Sequence, residues 1–292
     1  MNLGLMMRHD PARMRFARSL GAETAALVLQ AGEPWLPGGK RVDVDWRPKG
    51  AALIGEFQEA GLRVSCLSLY PNVLDADERR AAEAEAFLRG AIHLASETGV
   101  GLVGTFAGRV LDRPLEESLP AFERKWGELG RFAEGLGVRV AFENCPKGPH
   151  HFPPGGNNFL CTPAMWERAF DALPLSNLGL EWDPSHFVAL GIEPIENLRR
   201  FGAKIFHVHA KDARREMEVV SRYGLYHPGA VVHCFPGLGD LAWREIVREL
   251  RAQGYNGPLD VEGHHDPIYR GEREDEGVRI AFEHLAPLIA DE

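Results

Sequence analysis

The chain has 292 residues, of which 45% are hydrophobic and 26% charged, values typical of a globular protein with a sizeable core. Its net charge of -9 argues against a main role in binding nucleic acid or anionic membranes, which attract basic surfaces. No apolar run approaches the roughly 20 residues that cross a bilayer, so we expect no membrane span.

The start of the chain and its cysteines predict a cytoplasmic protein. Residues 1–10 lack the basic segment, apolar run and cleavage site of a signal peptide. The four cysteines are scattered, without a C-x-x-C pair, as expected of unpaired thiols in a reducing compartment.

Taken in order, the chain alternates predicted strands with predicted helices. The strands are β-prone apolar runs at residues 3–7, 25–29, 63–69, 100–106, 138–142, 178–183, 204–210 and 258–262. The helices have apolar residues at helical spacing and cover 11–20, 51–60, 77–97, 115–136, 162–173, 194–201, 241–253 and 272–290. Long loops are expected at 31–46 and 145–158, and a long connection at 214–239.

Eight strand-then-helix units predict parallel strand pairing and a single (β/α)8 TIM barrel over residues 1–292. The competing architecture is a doubly wound sheet, which usually has a glycine-rich phosphate loop after its first strand. Here the first strand is followed by MRHDP, without such glycines, so the barrel is favoured.

Four consecutive strands each carry an ionisable residue at the carboxyl end, on the face opposite to their apolar residues. These residues are Glu143, Asp183, His209 and Glu262. Because alternate residues of a strand face opposite sides and the outer face must be apolar, all four are predicted to point into the barrel. Singly, each has a plainer explanation as a surface acid, a turn acid or an interior histidine. Because all four lie on the same face at the carboxyl ends of their strands, they predict a shared site at the end of the barrel where barrel enzymes have their active sites.

Converging ionisable groups inside a barrel are costly unless they are paired or bind a metal. Three carboxylates and one imidazole suit Mn²⁺ best, and also Mg²⁺, Co²⁺ or Zn²⁺. The sequence therefore predicts one divalent metal ion.

The motifs FEN at 142–144, DPSH at 183–186, HVHAKD at 207–212 and VE at 261–262 occur in a recognisable order. In this order the chain resembles the xylose isomerase-like TIM-barrel superfamily of sugar isomerases and epimerases. That superfamily includes ketose 3-epimerases, hydroxypyruvate isomerase, inosose dehydratase and an AP-endonuclease branch. The resemblance covers nearly the whole chain and points to the superfamily rather than to a substrate.

The resemblance implies that the four strand-end residues hold the metal and that Glu143 and Glu262 also act as the acid/base pair. It implies that His186 hydrogen-bonds a substrate oxygen and that Arg215 takes the place of a substrate-contacting arginine. We also predict that Lys211 contacts the substrate. The expected partner is a small-molecule sugar or keto-polyol, and a homodimer or homotetramer is expected by analogy alone.

The implied reaction is proton transfer next to a carbonyl through a metal-stabilised enediolate, with a carboxylate on each face of the substrate. An inosose-type dehydratase shares the proton-abstraction step and is the alternative. An AP-endonuclease-like phosphodiesterase is less favoured, because it needs further histidines at strand ends and an aspartate where this chain has Val231. A non-catalytic sugar-binding barrel is disfavoured by the intact set of four ligands.

Other residues near the expected site have less definite roles. Glu181 shares the inward face of Asp183 one layer deeper, and we predict a buried acid paired with a cation such as Lys211 or bonded to a metal ligand. The loop histidines at 150–151 and 264–265 either are solvated or line the pocket. Trp35 and Trp46 either form a wall or lid or simply pack their own loop.

Overall fold

The structure is a computed structural model and describes residues 1–30, 47–146, 156–263 and 265–290. Ten strands are present in these ranges, eight of them parallel members of one closed barrel. The barrel strands are β1 (Asn2–Met7), β2 (Thr24–Val28), β3 (Arg63–Ser68), β4 (Leu102–Thr105), β5 (Arg139–Glu143), β6 (Leu178–Trp182), β7 (Ile205–Ala210) and β10 (Pro258–Val261). Pairing of β1 with both β2 and β10 closes the barrel, which confirms the predicted (β/α)8 fold.

Helices connect the strands around the barrel. They are α1 (Pro11–Ser19), α2 (Arg47–Glu59), α3 (Glu78–Glu97), α4 (Leu119–Gly135), α5 (Pro163–Ala172), α6 (Ser185–Leu190), α7 (Pro194–Phe201), α8 (Met217–Tyr223), α9 (Trp243–Ala252) and α10 (Glu274–Ala290). Within the described ranges, no helix is long and apolar enough to cross a membrane.

Two connections differ from the sequence prediction. The segment after the sixth strand, for which no helix is predicted before residue 194, forms the short helix α6, which ends at Gly191 with a left-handed φ of 70°. The connection expected over 214–239 contains α8 and an antiparallel hairpin of β8 (Asp212–Arg215) with β9 (Val231–Cys234). The sequence does not predict the hairpin, because its strands are short and α8 separates them along the chain.

Asp212 anchors the segment that comes after this hairpin. Its carboxylate accepts hydrogen bonds from the backbone N–H groups of Ala213, Gly237 and Leu241 and from the indole of Trp243. The acid therefore ties the start of β8 to the start of α9, which gives the aspartate of the HVHAKD motif a structural explanation.

Large aromatic side chains fill the layer between the barrel and the helices. Phe142 of β5 packs edge-on against Trp126 of α4 with ring centroids 4.6 Å apart, and both are fully buried. Trp182 of β6 is also fully buried and lies near Phe187 of α6. Because these residues face outward, their neighbours in sequence on β5 and β6 face the barrel interior.

Two glycines make room for acids inside the barrel. A Cβ atom on Gly4 of β1 would lie 1.8 Å from Asp260 Oδ1, and one on Gly104 of β4 would lie 2.3 Å from Glu181 Oε1. Both distances are far below van der Waals contact. The interior is thus shaped around these carboxylates. Gly4 is the register partner of Asp260 on the neighbouring strand, and Gly104 lies two strands away from Glu181.

We expect Gly104→Ala to lower the free energy of unfolding by about 1–3 kcal/mol, as overpacking of a filled interior does. The matched control is Gly55→Ala in α2, where an added Cβ meets nothing within 4 Å. Because alanine favours helix, this control should gain about 0.5–1 kcal/mol. Urea denaturation measures both, and equal stability of the two variants would contradict the packing argument.

Candidate active site

The structure brings the four strand-end residues together at the carboxyl end of the barrel. Glu143 ends β5, Asp183 comes directly after β6, His209 lies in β7 and Glu262 comes directly after β10. All four are buried, and one potential ligand atom from each lies within 4.8 Å of the others. Each of these side chains therefore points into the barrel, as the alternation of residues along the strands predicts.

His209 stands at the centre of this cluster. Its Nδ1 atom lies 3.2 Å from Glu143 Oε1 and 3.2 Å from Glu262 Oε2. The two glutamates belong to the ends of different strands, so their carboxyl groups approach one imidazole from separate positions. Asp183 completes the group on the neighbouring strand.

The polar atoms of the cluster show that it fits a metal ion. Asp183 Oδ1 accepts a 2.8 Å hydrogen bond from the Ser185 backbone N–H, and Glu262 Oε1 accepts one of 2.7 Å from Lys211 Nζ. Asp183 Oδ2 and Glu262 Oε2 are buried and face imidazole nitrogens, 3.1 Å from His186 Nε2 and 3.2 Å from His209 Nδ1, but neither contact has hydrogen-bond geometry. Each acid thus has one oxygen held by a hydrogen bond and one that a divalent ion could bind.

Asn144 holds the ends of β5 and β6 together behind these ligands. Its side-chain amide donates to the Asp183 carbonyl at 2.8 Å, and its side-chain carbonyl accepts from the Asp183 N–H at 2.7 Å. The sequence places Asn144 within a motif but gives it no separate role. The two-way amide contact fixes the backbone from which Asp183 projects.

Lys211 controls the charge of Glu262. Burial alone would raise the pKa of the Glu262 carboxyl, but the nearby Lys211 ammonium and His209 outweigh burial and hold that pKa well below its usual range. Burial likewise opposes the charge of Lys211, whereas Glu262 and Asp183 raise the Lys211 pKa above its usual value. Glu262 is therefore a carboxylate at neutral pH in this ion pair.

Beneath this cluster, His207 joins two buried acids across the barrel. Its Nδ1 lies 2.8 Å from Glu181 Oε1 and its Nε2 lies 2.7 Å from Asp260 Oδ2. Asp260 also accepts hydrogen bonds from Thr24 and Ser65. Burial opposes protonation of His207, but its two acid partners raise its pKa above the usual value. We call these three residues, Glu181, His207 and Asp260, the interior triad.

Glu181 links the interior triad to the strand-end cluster. Its Oε1 atom lies 3.3 Å from His209 Nε2, and its Oε2 accepts a 2.9 Å hydrogen bond from the Tyr70 hydroxyl. Burial would raise the pKa of Glu181, but His209 and His207 outweigh burial and lower it to about 2. The predicted burial of Glu181 is confirmed, and of the two predicted partners it contacts the predicted metal ligand His209, whereas Lys211 pairs with Glu262.

His186 lies in the first turn of α6 and faces the same cluster. Its Nε2 atom is 3.1 Å from Asp183 Oδ2 and 3.8 Å from Glu143 Oε1, and its ring is 5.2 Å from that of His233. Burial opposes protonation, but Cys145 and Asp183 raise the His186 pKa well above its usual value. The same negative environment would attract a metal cation.

Arg215 is placed differently from the other predicted substrate contacts. It is exposed on β8, and its backbone N–H donates to Asp240 at 2.8 Å. Within the described ranges, no contact joins it to the cluster, and its substrate contact stays a prediction. The expectations for Trp35, Trp46, the histidines at 150–151 and His264 lie outside the described residues.

Sequence reasoning places His207 and Asp260 on the inward face but assigns them no function. It assigns Tyr70 no role, and it does not separate Cys145 from the other scattered thiols. For His207 and Asp260, the available signal is the strand alternation that places both side chains on the inward face. For Tyr70 and Cys145 the sequence contains no local pattern, because each comes after a strand in an irregular segment.

A closed parallel barrel with buried carboxylates and an imidazole at its carboxyl end defines a (β/α)8 protein with the donor set of a metal centre. The chain belongs to the xylose isomerase-like TIM barrel family, whose model matches residues 14–288. This confirms the family resemblance inferred from the motifs.

Proteins similar to this chain have several different names. The chain is 29% identical over 184 residues to inosose dehydratase of Bacillus thuringiensis (strain Al Hakam), a match that covers 59% of this chain and 57% of that protein. The match thus spans little more than half of the curated relative. The fold is similar to that of an L-ribulose 3-epimerase, with TM-score 0.71, 17% identity and coverage of 99% and 94%. It is also similar to the IolI protein with a bound zinc atom, with TM-score 0.69, 19% identity and coverage of 99% and 98%.

We expect His207→Leu to destabilise the protein by about 3–5 kcal/mol, because it leaves two buried carboxylates without their shared partner. The exposed His227 provides the control, since His227→Leu should change stability by less than about 0.5 kcal/mol. Guanidinium denaturation measures both, and a His207→Leu variant as stable as the control would show that the interior triad contributes little.

We also expect Mn²⁺ to stabilise the metal-stripped protein, by about 2.7 kcal/mol at a concentration 100 times its dissociation constant. Asp183→Asn should largely abolish this gain, because it removes one charged ligand. Asp171→Asn, on the exposed face of α5, should retain it. Thermal unfolding with and without Mn²⁺ measures the effect, and equal stabilisation of both variants would exclude Asp183 as a ligand.

Proposed function

We propose that this protein is a divalent-metal-dependent isomerase or epimerase that moves a proton next to the carbonyl of a sugar or keto-polyol. The observation that carries the proposal is the position of Glu143 and Glu262. Both carboxyl groups lie 3.2 Å from the same nitrogen of His209, and they project from different strand ends. A substrate held at this point would have one carboxyl group on each side.

The protonation state of Glu262 suits it to remove the proton. Lys211 keeps it ionised, so it is ready to accept a proton at neutral pH. Glu143 then returns a proton, on the opposite face for an epimerase or to the adjacent carbon for an isomerase. A bound divalent cation would stabilise the negative charge that develops on the substrate oxygens as the proton leaves.

Other residues of the site would bind and orient the substrate. His186 is buried beside Glu143 and Asp183, where it can hydrogen-bond a substrate oxygen. Lys211 would act through Glu262, since its ammonium already bonds that carboxylate. Asn144 keeps Asp183 in place through two hydrogen bonds. The metal ligands in this proposal are Glu143, Asp183, His209 and Glu262, with Mn²⁺ preferred for the oxygen-rich set.

A second candidate function is dehydration, which the similarity to inosose dehydratases favours. Removal of the proton by the same carboxylate would be followed by loss of a hydroxyl group from the neighbouring carbon. Incubation of the Mn²⁺-loaded enzyme with a panel of ketoses and inososes in deuterated water separates the two. An isomerase or epimerase introduces deuterium without other mass change, whereas a dehydratase releases a product lighter by one water.

We expect Glu143→Gln and Glu262→Gln each to lower kcat by about 10²–10⁴-fold, the usual contribution of a positioned acid or base. Glu128→Gln, on the exposed face of α4, should leave kcat unchanged. Isotope exchange and turnover on the active substrate measure the effect. A metal-loaded Glu143→Gln or Glu262→Gln variant with full turnover would exclude that residue from the acid/base pair.

A further inference from the structure

A second group of metal-type side chains lies beside the strand-end cluster. It consists of Glu143, Cys145 and His186, whose donor atoms lie within 4.8 Å of one another. Glu143 belongs to both groups. Cys145 is not in a disulfide and is partly buried two residues beyond the end of β5.

His186 is directed into this second group. It is only 4% exposed, and its Nε2 atom lies 3.1 Å from Asp183 Oδ2. Its Nε2 atom lies 3.8 Å from Glu143 Oε1. Neutral imidazole is a common metal ligand, and a buried imidazole among acidic side chains is placed to bind a cation through one of its nitrogens.

Glu143 is positioned to serve two ions. Its Oε1 atom lies between two imidazoles, 3.2 Å from His209 Nδ1 and 3.8 Å from His186 Nε2. Both contacts are made by this one oxygen, and a carboxylate can bridge two ions through a single oxygen or through both. In known two-metal sites the ions are about 3.5–4 Å apart, a separation that a shared carboxylate spans.

The backbone on which Cys145 lies is also held in place. The side-chain amide of Asn158 donates 2.8 Å hydrogen bonds to the carbonyl oxygens of both Glu143 and Cys145. Asn158 itself is buried. Asn158 therefore fixes the backbone of Glu143 and Cys145, which supply two of the three donor atoms.

We propose that Glu143, Cys145 and His186 form a second divalent metal site, bridged to the first by Glu143. The two sites differ in chemistry. The first is rich in carboxylate oxygen and suits Mn²⁺ or Mg²⁺, whereas thiolate, imidazole and one carboxylate suit softer ions such as Zn²⁺ or Co²⁺. Binding would release the thiol proton to solvent, since a metal-bound cysteine is a thiolate.

Occupation of the second site has a consequence for turnover, and this consequence rests on the proposed function. His186 cannot bind a metal ion and hydrogen-bond a substrate oxygen with the same nitrogen. Excess Zn²⁺ would therefore inhibit the Mn²⁺ enzyme, and Cys145→Ser would relieve that inhibition.

Cobalt binding tests the site without any measurement of turnover. The full-length protein is equilibrated with excess Co²⁺, desalted, and assayed for cobalt per chain and for near-ultraviolet thiolate-to-cobalt absorption. We expect two ions per chain and the thiolate band. Cys145→Ser and His186→Gln should each bind one ion, and the serine variant should lose the band. Asp183→Asn should lose the first ion and keep the band.

Cys234→Ser is the matched control, because Cys234 is a buried thiol outside the metal-type groups of the described chain, and it should keep both ions and the band. Stabilisation of Cys145→Ser by Mn²⁺ shows that this variant is folded with its first site intact. One cobalt per chain without a thiolate band in the unmodified protein would overturn the proposal. So would a full thiolate band in Cys145→Ser. If only the sugar assays fail, the proposed function is contradicted, but the cobalt count and the thiolate band still test the second metal site.

Discussion

The constraint on which the rest of this barrel depends is the pairing of charged groups in its interior. Water cannot solvate a carboxylate there, so each acid needs a cation or hydrogen-bond donors from the protein. His207 meets this need for Glu181 and Asp260 at once, since each ring nitrogen faces one acid at 2.8 and 2.7 Å. Glycines on β1 and β4 leave the space that these acids occupy.

The same pairing continues upward into the candidate active site. Glu181 lies between His207 and His209, so the orientation of His209 is set from below by an acid that is itself fixed. A carboxylate behind a metal-binding histidine selects the ring nitrogen that faces the metal and increases its basicity. In this arrangement Nε2 faces Glu181 and Nδ1 faces the two glutamates. The stability of the barrel and the geometry of the site thus share the same contacts.

Family membership and site chemistry inform different parts of the functional proposal. The family match covers residues 14–288, and the similar proteins include a dehydratase that matches in sequence and an epimerase that matches in fold. These reactions share removal of a proton next to a carbonyl and differ in their later steps. Glu262, kept ionised by Lys211, fits the shared step. The fate of the substrate after that step depends on where its hydroxyl groups lie.

The sequence by itself determined the eight strand-and-helix units and the inward phase of Glu143, Asp183, His209 and Glu262, because periodicity and strand parity are local properties of the chain. Only the tertiary structure decided which of the inward groups pair. His207 meets acids 26 and 53 residues away, and Lys211 bonds Glu262 rather than Glu181. The approach of Cys145 to His186 and the β8–β9 hairpin were likewise not predictable. These contacts depend on the register between strands and on side-chain directions, which are set when the whole barrel closes.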